Sequence, residues 1–135
     1  MKFYISAKWQ MKDTVSEMIK VLKEKGHEIT ADWTTRASER NYGGGNAEQS
    51  EKFSQEELEA ILRADIFIHL SDLGGKGKYV DLGIALAGNK IRGIPREIYV
   101  VGKTANESQY YFNQAIITIA TERPVTALEM IVGGL

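Results

Sequence analysis

Apolar positions along the chain follow two rhythms. Unbroken runs at residues 3–6, 64–70, 97–101 and 115–120 have the length of strands covered on both faces, and a further strand is read near residues 27–31. Between them the apolar residues recur at helical spacing. Met11, Val15, Met18, Ile19 and Leu22 mark a helix over about residues 11–25, closed by Gly26. Phe53, Leu58, Ile61 and Leu62 mark a second, for which Ser54 and Glu57 have the spacing of a capping box. A third covers residues 79–89, and Pro124 opens a last one carrying Val125, Leu128, Ile131 and Val132, stopped by Gly133 and Gly134. Strands alternating with helices predict an α/β fold: a flavodoxin-like or Rossmann-like three-layer sandwich with a five-stranded parallel sheet. At 135 residues the chain is expected to form a single domain, residues 1–135.

Two segments break the rhythm. Residues 32–46 are polar, rich in turn formers and long enough to be a functional lid. Residues 102–113 are polar apart from the cluster Tyr110, Tyr111 and Phe112. In a parallel sheet of this kind ligands bind beyond the carboxyl ends of the strands, where strand order reverses. The predicted crevice is therefore lined by residues 6–10, 32–46, 71–78 and 102–107. Asp81 is placed in the first turn of the helix after the third strand, and it is the only carboxylate between Lys78 and Lys90. An unpaired buried carboxylate is costly, so such a group is normally paired, hydrogen-bonded or set at the mouth of a cavity. The glycine-rich stretch Gly74, Gly75, Lys76, Gly77, Lys78 offers free backbone N–H groups and a helix start, both favouring the ionised form. An ionised carboxylate aimed into a pocket can act as a nucleophile.

Composition narrows the partners. A net charge of -1, with basic residues dispersed among acids, argues against duplex nucleic acid or an anionic membrane surface. No cysteine is present, which removes disulfides, thiolate catalysis and cysteine-ligated zinc, and points to a cytoplasmic setting. The N-terminal apolar run is too short for a signal peptide, and no run approaches the roughly 20 residues of a membrane span. His27 and His69 have no metal-binding spacing, so no metal is expected. The glycine loop fits neither a Walker A sequence nor a dinucleotide fingerprint. Strand 1 ends in Ile5, Ser6 and Ala7, where a phosphoacceptor domain would carry acids.

Strand 1 (residues 3–7), the run Ala64 to Leu70, and residues 75–87 with Asp81-Leu-Gly-Ile-Ala85 resemble the nucleoside 2-deoxyribosyltransferase family and its nucleotide N-glycosidase relatives. The resemblance extends in element order over nearly the whole chain. It implies cleavage or transfer at the N-glycosidic bond of a nucleoside or nucleoside 5′-monophosphate, in nucleotide metabolism or salvage, with no cofactor. In that family the acid is usually glutamate and attacks the anomeric carbon of the sugar; here it is aspartate, about 1.5 Å shorter in reach. Aspartate is competent as a glycosidase nucleophile.

Other roles follow from the same resemblance. Asp72 is a candidate acid for the departing base, and equally a solvated turn residue. Glu57 matches a family acid by position, and equally a capping-box residue. Asp65 is read as structural, being at the far end of its strand. Tyr4, Ser6, Lys8 and Trp9 on or after strand 1 could meet sugar, phosphate or base, and Gly75, Lys76, Gly77 and Lys78 could receive a phosphate. Trp33 offers a second surface for base stacking. Asn113 lies where family members contribute residues across a subunit boundary, and the aromatic cluster beside it, with the apolar C-terminus, suits a homodimer or higher homo-oligomer. An alternative reading is a catalytically inactive nucleotide-binding or sensing module on the same fold.

Overall fold

In a computed structural model of the chain, residues 1–39, 47–103 and 107–135 are described. The order of elements is β1 (Lys2–Ser6), α1 (Lys12–Glu24), β2 (Glu28–Ile29), α2 (Ala47–Arg63), β3 (Ile66–Leu70), α3 (Lys76–Arg92), β4 (Glu97–Gly102), β5 (Ile116–Ala120) and α4 (Pro124–Gly133). The five strands form one parallel sheet in the order β2-β1-β3-β4-β5. From β1 the chain first moves outward to β2, then returns across β1 to lay down β3, β4 and β5. Strand order therefore reverses between β1 and β3, and a crevice opens above that junction.

Strand residues alternate between two helical layers. In register, Tyr4 lies beside Phe67 and Ser6 beside His69, so these four share one face. Helices α2 and α3 pack together on one side of the sheet, α1 and α4 on the other. Phe3, Ile5, Ile66 and Ile68 on the opposite face are fully buried, as are Val15, Met18 and Leu22 of α1 and Leu128 of α4. All five residues of β3 are buried, which the unbroken run Ile66 to Leu70 requires of a central strand.

The predicted class and sheet are borne out, and several boundaries differ. Helix α2 begins at Ala47, not near Ser54, so Ser54 and Glu57 do not form a capping box; the Ser54 hydroxyl donates to the Glu51 carbonyl, one turn back. The first turns of α2 carry mostly polar, solvated residues, so no apolar period marked them. Within the expected loop, Trp33–Glu39 form 3-10 turns, started where the Asp32 carboxylate accepts from the Thr34 backbone N–H and hydroxyl. Residues 40–46 of that loop, and 104–106 of the loop after β4, lie outside the described residues. Helix α3 begins at Lys76, which moves Asp81 from the predicted first turn into the second. Asp65 accepts the Lys2 backbone N–H at 2.8 Å, at the end of β3 away from the crevice, as expected of a structural carboxylate. Among the described residues no helix is long and apolar enough to cross a membrane.

Candidate active site

The crevice between β1 and β3 holds a cavity of about 680 Å³. Its floor is the end of β1, its walls the start of α3 and the first half of α2, and Trp33 and Arg36 close it on the β2 side. Helix α3 can approach because of Gly75. That residue is the N-cap of α3 with φ +84°, and a Cβ there would stand 2.6 Å from the Cβ of Lys8. A side chain at this position would hold the helix off β1 and adopt backbone angles that L residues rarely take.

Asp81 projects from the second turn of α3 into this cavity. Its Oδ2 accepts a hydrogen bond of 2.7 Å from the hydroxyl of Ser6, which is fully buried at the end of β1. The surroundings push its pKa up to about 7 from 3.8: burial disfavours the charge, the Ser6 hydrogen bond pulls the other way, and the Glu57 carboxylate adds repulsion. The ionised form expected from the helix start and the glycine loop is thus offset by desolvation. Tyr4, on the same face of β1 two residues before Ser6, has its phenol held well above the ordinary range by burial and by the Asp81 and Glu57 carboxylates.

Glu57 reaches the cavity from α2. The Arg36 guanidinium donates to Glu57 at 3.2 Å and to Glu56 at 2.7 Å, and lies 4.4 Å from the centre of the Phe53 ring. Arg36 is thereby held by two carboxylates and an aromatic face. Trp9 and Trp33 stand with ring centres 6.2 Å apart, and the Trp33 indole N–H donates to the Ile5 carbonyl at 2.7 Å. The cavity thus has an aromatic side and an acidic centre.

The lysines are used differently from one another. Lys8 pairs with the Asp72 carboxylate at 3.3 Å and donates to the Leu73 carbonyl at 2.9 Å, tying the turn after β1 to the turn after β3. Lys78 is buried; its ammonium donates to the Leu70 and Asp72 carbonyls and stands 3.8 Å from Glu107. Burial lowers the pKa of Lys78 while Glu107 and Asp72 counter it. Lys76 is exposed at the first residue of α3.

Of the residues singled out from the sequence, Asp81, Glu57, Tyr4, Lys8 and Trp9 line the cavity, as do Gly75, Lys76, Gly77 and Lys78. Three do not. Ser6 is turned to Asp81; Asn113 is exposed, its side-chain oxygen accepting the Ala115 backbone N–H. Asp72 is fixed beside Lys8, where burial would raise its pKa but the Leu73 N–H, Lys8 and Lys78 lower it overall. Nor do Gly102, Lys103 and Glu107, the described part of the loop after β4, line the cavity. Phe53 was not foreseen as a cavity residue, and Arg36 was foreseen only as one position of the loop 32–46. Arg36 lies in a segment without periodicity, and Phe53 reads as helix core; only the carboxylate pair Glu56 and Glu57 in α2 hints at a cation to be held.

No family model matches the chain, and no curated protein matches it. Among solved structures, a CMP N-glycosidase of Clostridium botulinum superposes with a TM-score of 0.66 at 17% identity, over 96% of this chain and 99% of that one. A 2-deoxyribosyltransferase from Bacillus psychrosaccharolyticus superposes with a TM-score of 0.64 at 18% identity, over 96% of this chain and 90% of that one. These are the two kinds of enzyme that the sequence resemblance named, and the chain shares their fold over 96% of its length.

Proposed function

We propose that the protein cleaves, or transfers, the N-glycosidic bond of a nucleoside or nucleoside 5′-monophosphate. The observation that carries this reading is Asp81: a carboxylate anchored at one oxygen, in a cavity at the strand-order reversal, on a fold shared with an N-glycosidase and a deoxyribosyltransferase. In the first step an Asp81 carboxylate oxygen bonds to C1′ while the C1′–N bond breaks. The electron pair passes to the base, which takes a proton from Glu57, the proton being the one that the Asp81–Glu57 pair holds at rest and that moves to Glu57 as Asp81 ionises. In the second step water, or an acceptor base, attacks C1′ and releases the Asp81 carboxylate, giving its proton to Glu57. Such attack needs the oxygen within about 3–3.5 Å of C1′. The close approach of α3 to β1 at Gly75 is what offsets the shorter side chain.

Glu57 is preferred to Asp72 as the proton donor because it lines the cavity with Asp81, whereas Asp72 lies outside it, tied to Lys8 in the turn after β3. Trp9, Trp33 and Phe53 offer faces for a base, and Lys76 with the N–H groups at the start of α3 offers a place for a 5′-phosphate. Tyr110 and Phe112 are 57% and 73% exposed and Val80 on α3 is 64% exposed, which favours a homodimer. Sedimentation equilibrium checks that directly: twice the chain mass is expected.

Incubation with deoxynucleosides, ribonucleosides and their monophosphates, with and without an acceptor base, is expected to release free base. Asp81→Ala is expected to lower the rate by at least about 1000-fold. Identical behaviour of wild type and Asp81→Ala on every substrate would sink the reading. Saturable nucleotide binding in calorimetry without turnover would favour the sensing alternative.

A further inference from the structure

The Ser6 hydroxyl has a single proton to donate, and in this fold it goes to Oδ2 of Asp81 rather than into the cavity. Ser6 is fully buried, at the last position of β1 and in register with His69 of the central strand β3. Its backbone cannot shift without disturbing the pairing with β3. Asp81, by contrast, sits on a helix that rests against β1 through a residue lacking a side chain. No second hydrogen bond to the Asp81 carboxylate is formed among the described residues. Among the described residues the Ser6 contact is therefore the one directional constraint on that side chain, and it links a buried strand of the sheet to the reacting group.

We propose that Ser6 is the positioning residue of the site: by holding Oδ2 against β1 it fixes the carboxylate plane and leaves Oδ1 as the attacking oxygen. This rests on the reading of Asp81 as nucleophile and adds to it. A carboxylate without this anchor would rotate about its last bond, and neither oxygen would dwell in line with C1′. The same bond favours the ionised form against burial. The charged or titratable groups around Asp81 are Glu57 from α2 and Tyr4 from β1, with Arg36 behind Glu57. All three remain in a Ser6→Ala variant, so the effect of the hydroxyl can be isolated.

The test follows the carboxyl carbon of Asp81 by NMR in protein labelled at aspartate, assigned through Asp81→Asn, alongside steady-state kinetics of the same samples. For Ser6→Ala the titration midpoint is expected to rise by about one pH unit, and kcat to fall by about 10-fold or more with KM within about two-fold. Ser6→Cys, of nearly the same shape and a weaker donor, should fall between the two. A midpoint unmoved in Ser6→Ala, or a kcat unchanged while the midpoint moves, overturns the proposal. Loss of fold in Ser6→Ala would be seen in its circular dichroism, and Ser6→Cys then decides alone. Should the wild type turn over no nucleoside or nucleotide, the functional reading fails, and the titration still decides whether Ser6 governs the Asp81 charge.

Discussion

At the scale of single residues, the site is built around a carboxylate kept at a cost. Asp81 has a folded pKa of about 7 against 3.8 for an unburied aspartate, so the folded protein holds a proton that the unfolded chain would release. Its stabilising contribution is complete below about pH 4 and is lost as pH rises to about 7, amounting to no more than about 4 kcal/mol. Asp81→Asn keeps the shape and removes the ionisation. In urea titrations the variant is expected to be more stable than wild type at pH 8, with the difference closing toward pH 4; a difference independent of pH would show that the Asp81 charge is not the cause. On the proposed mechanism the Asp81–Glu57 pair must hold one proton, so kcat/KM should be bell-shaped in pH with one limb near 7. The absence of any limb near 7 would mean that the burial of Asp81 has been relieved in solution.

At the scale of elements, the decisive contact is between the start of α3 and the turn after β1. Gly75→Ala would combine strained backbone angles with a clash at 2.6 Å. We expect a loss of about 1–3 kcal/mol in stability and a fall in kcat, read from urea midpoints and initial rates. An alanine tolerated at full activity would show that α3 has slack. Much of this architecture was legible in the sequence: unbroken apolar runs located the central strands, and the glycine loop followed by a lone acid pointed to residues that line the cavity. What was not legible lay where periodicity is absent. The first two turns of α2 are solvated and leave no apolar stripe, and the 3-10 turns at Trp33 are set by the Asp32 carboxylate rather than by spacing. Arg36 belongs to that segment, so its fork to Glu56 and Glu57 emerges only once both elements are placed. Lys78 was read as a phosphate partner, yet its buried ammonium binds carbonyls of the loop after β3; a lysine beside glycines carries no mark of which way it turns.

At the scale of the whole molecule, two buried groups pull the pH dependence in opposite senses. His69 is buried, bonded through Nε2 to the Tyr111 hydroxyl at 2.6 Å, and burial lowers its pKa to about 3. Its neutral form stabilises the fold above about pH 6.5, and that contribution is lost as pH falls toward 3. Between about pH 4 and 6.5 the slopes of Asp81 and His69 largely cancel. Wild type is therefore expected to show a nearly flat stability over that range, while Asp81→Asn climbs with pH; two parallel curves in denaturant titrations would refute the cancellation. The placement of the cavity has another consequence. Its lining residues run from Tyr4 to Asp81, so β4, β5 and α4 touch the cavity nowhere among the described residues. Substitutions in β4, β5 or α4 are therefore expected to leave the described wall of the pocket unchanged, and what this chain binds should respond instead to changes between Tyr4 and Asp81.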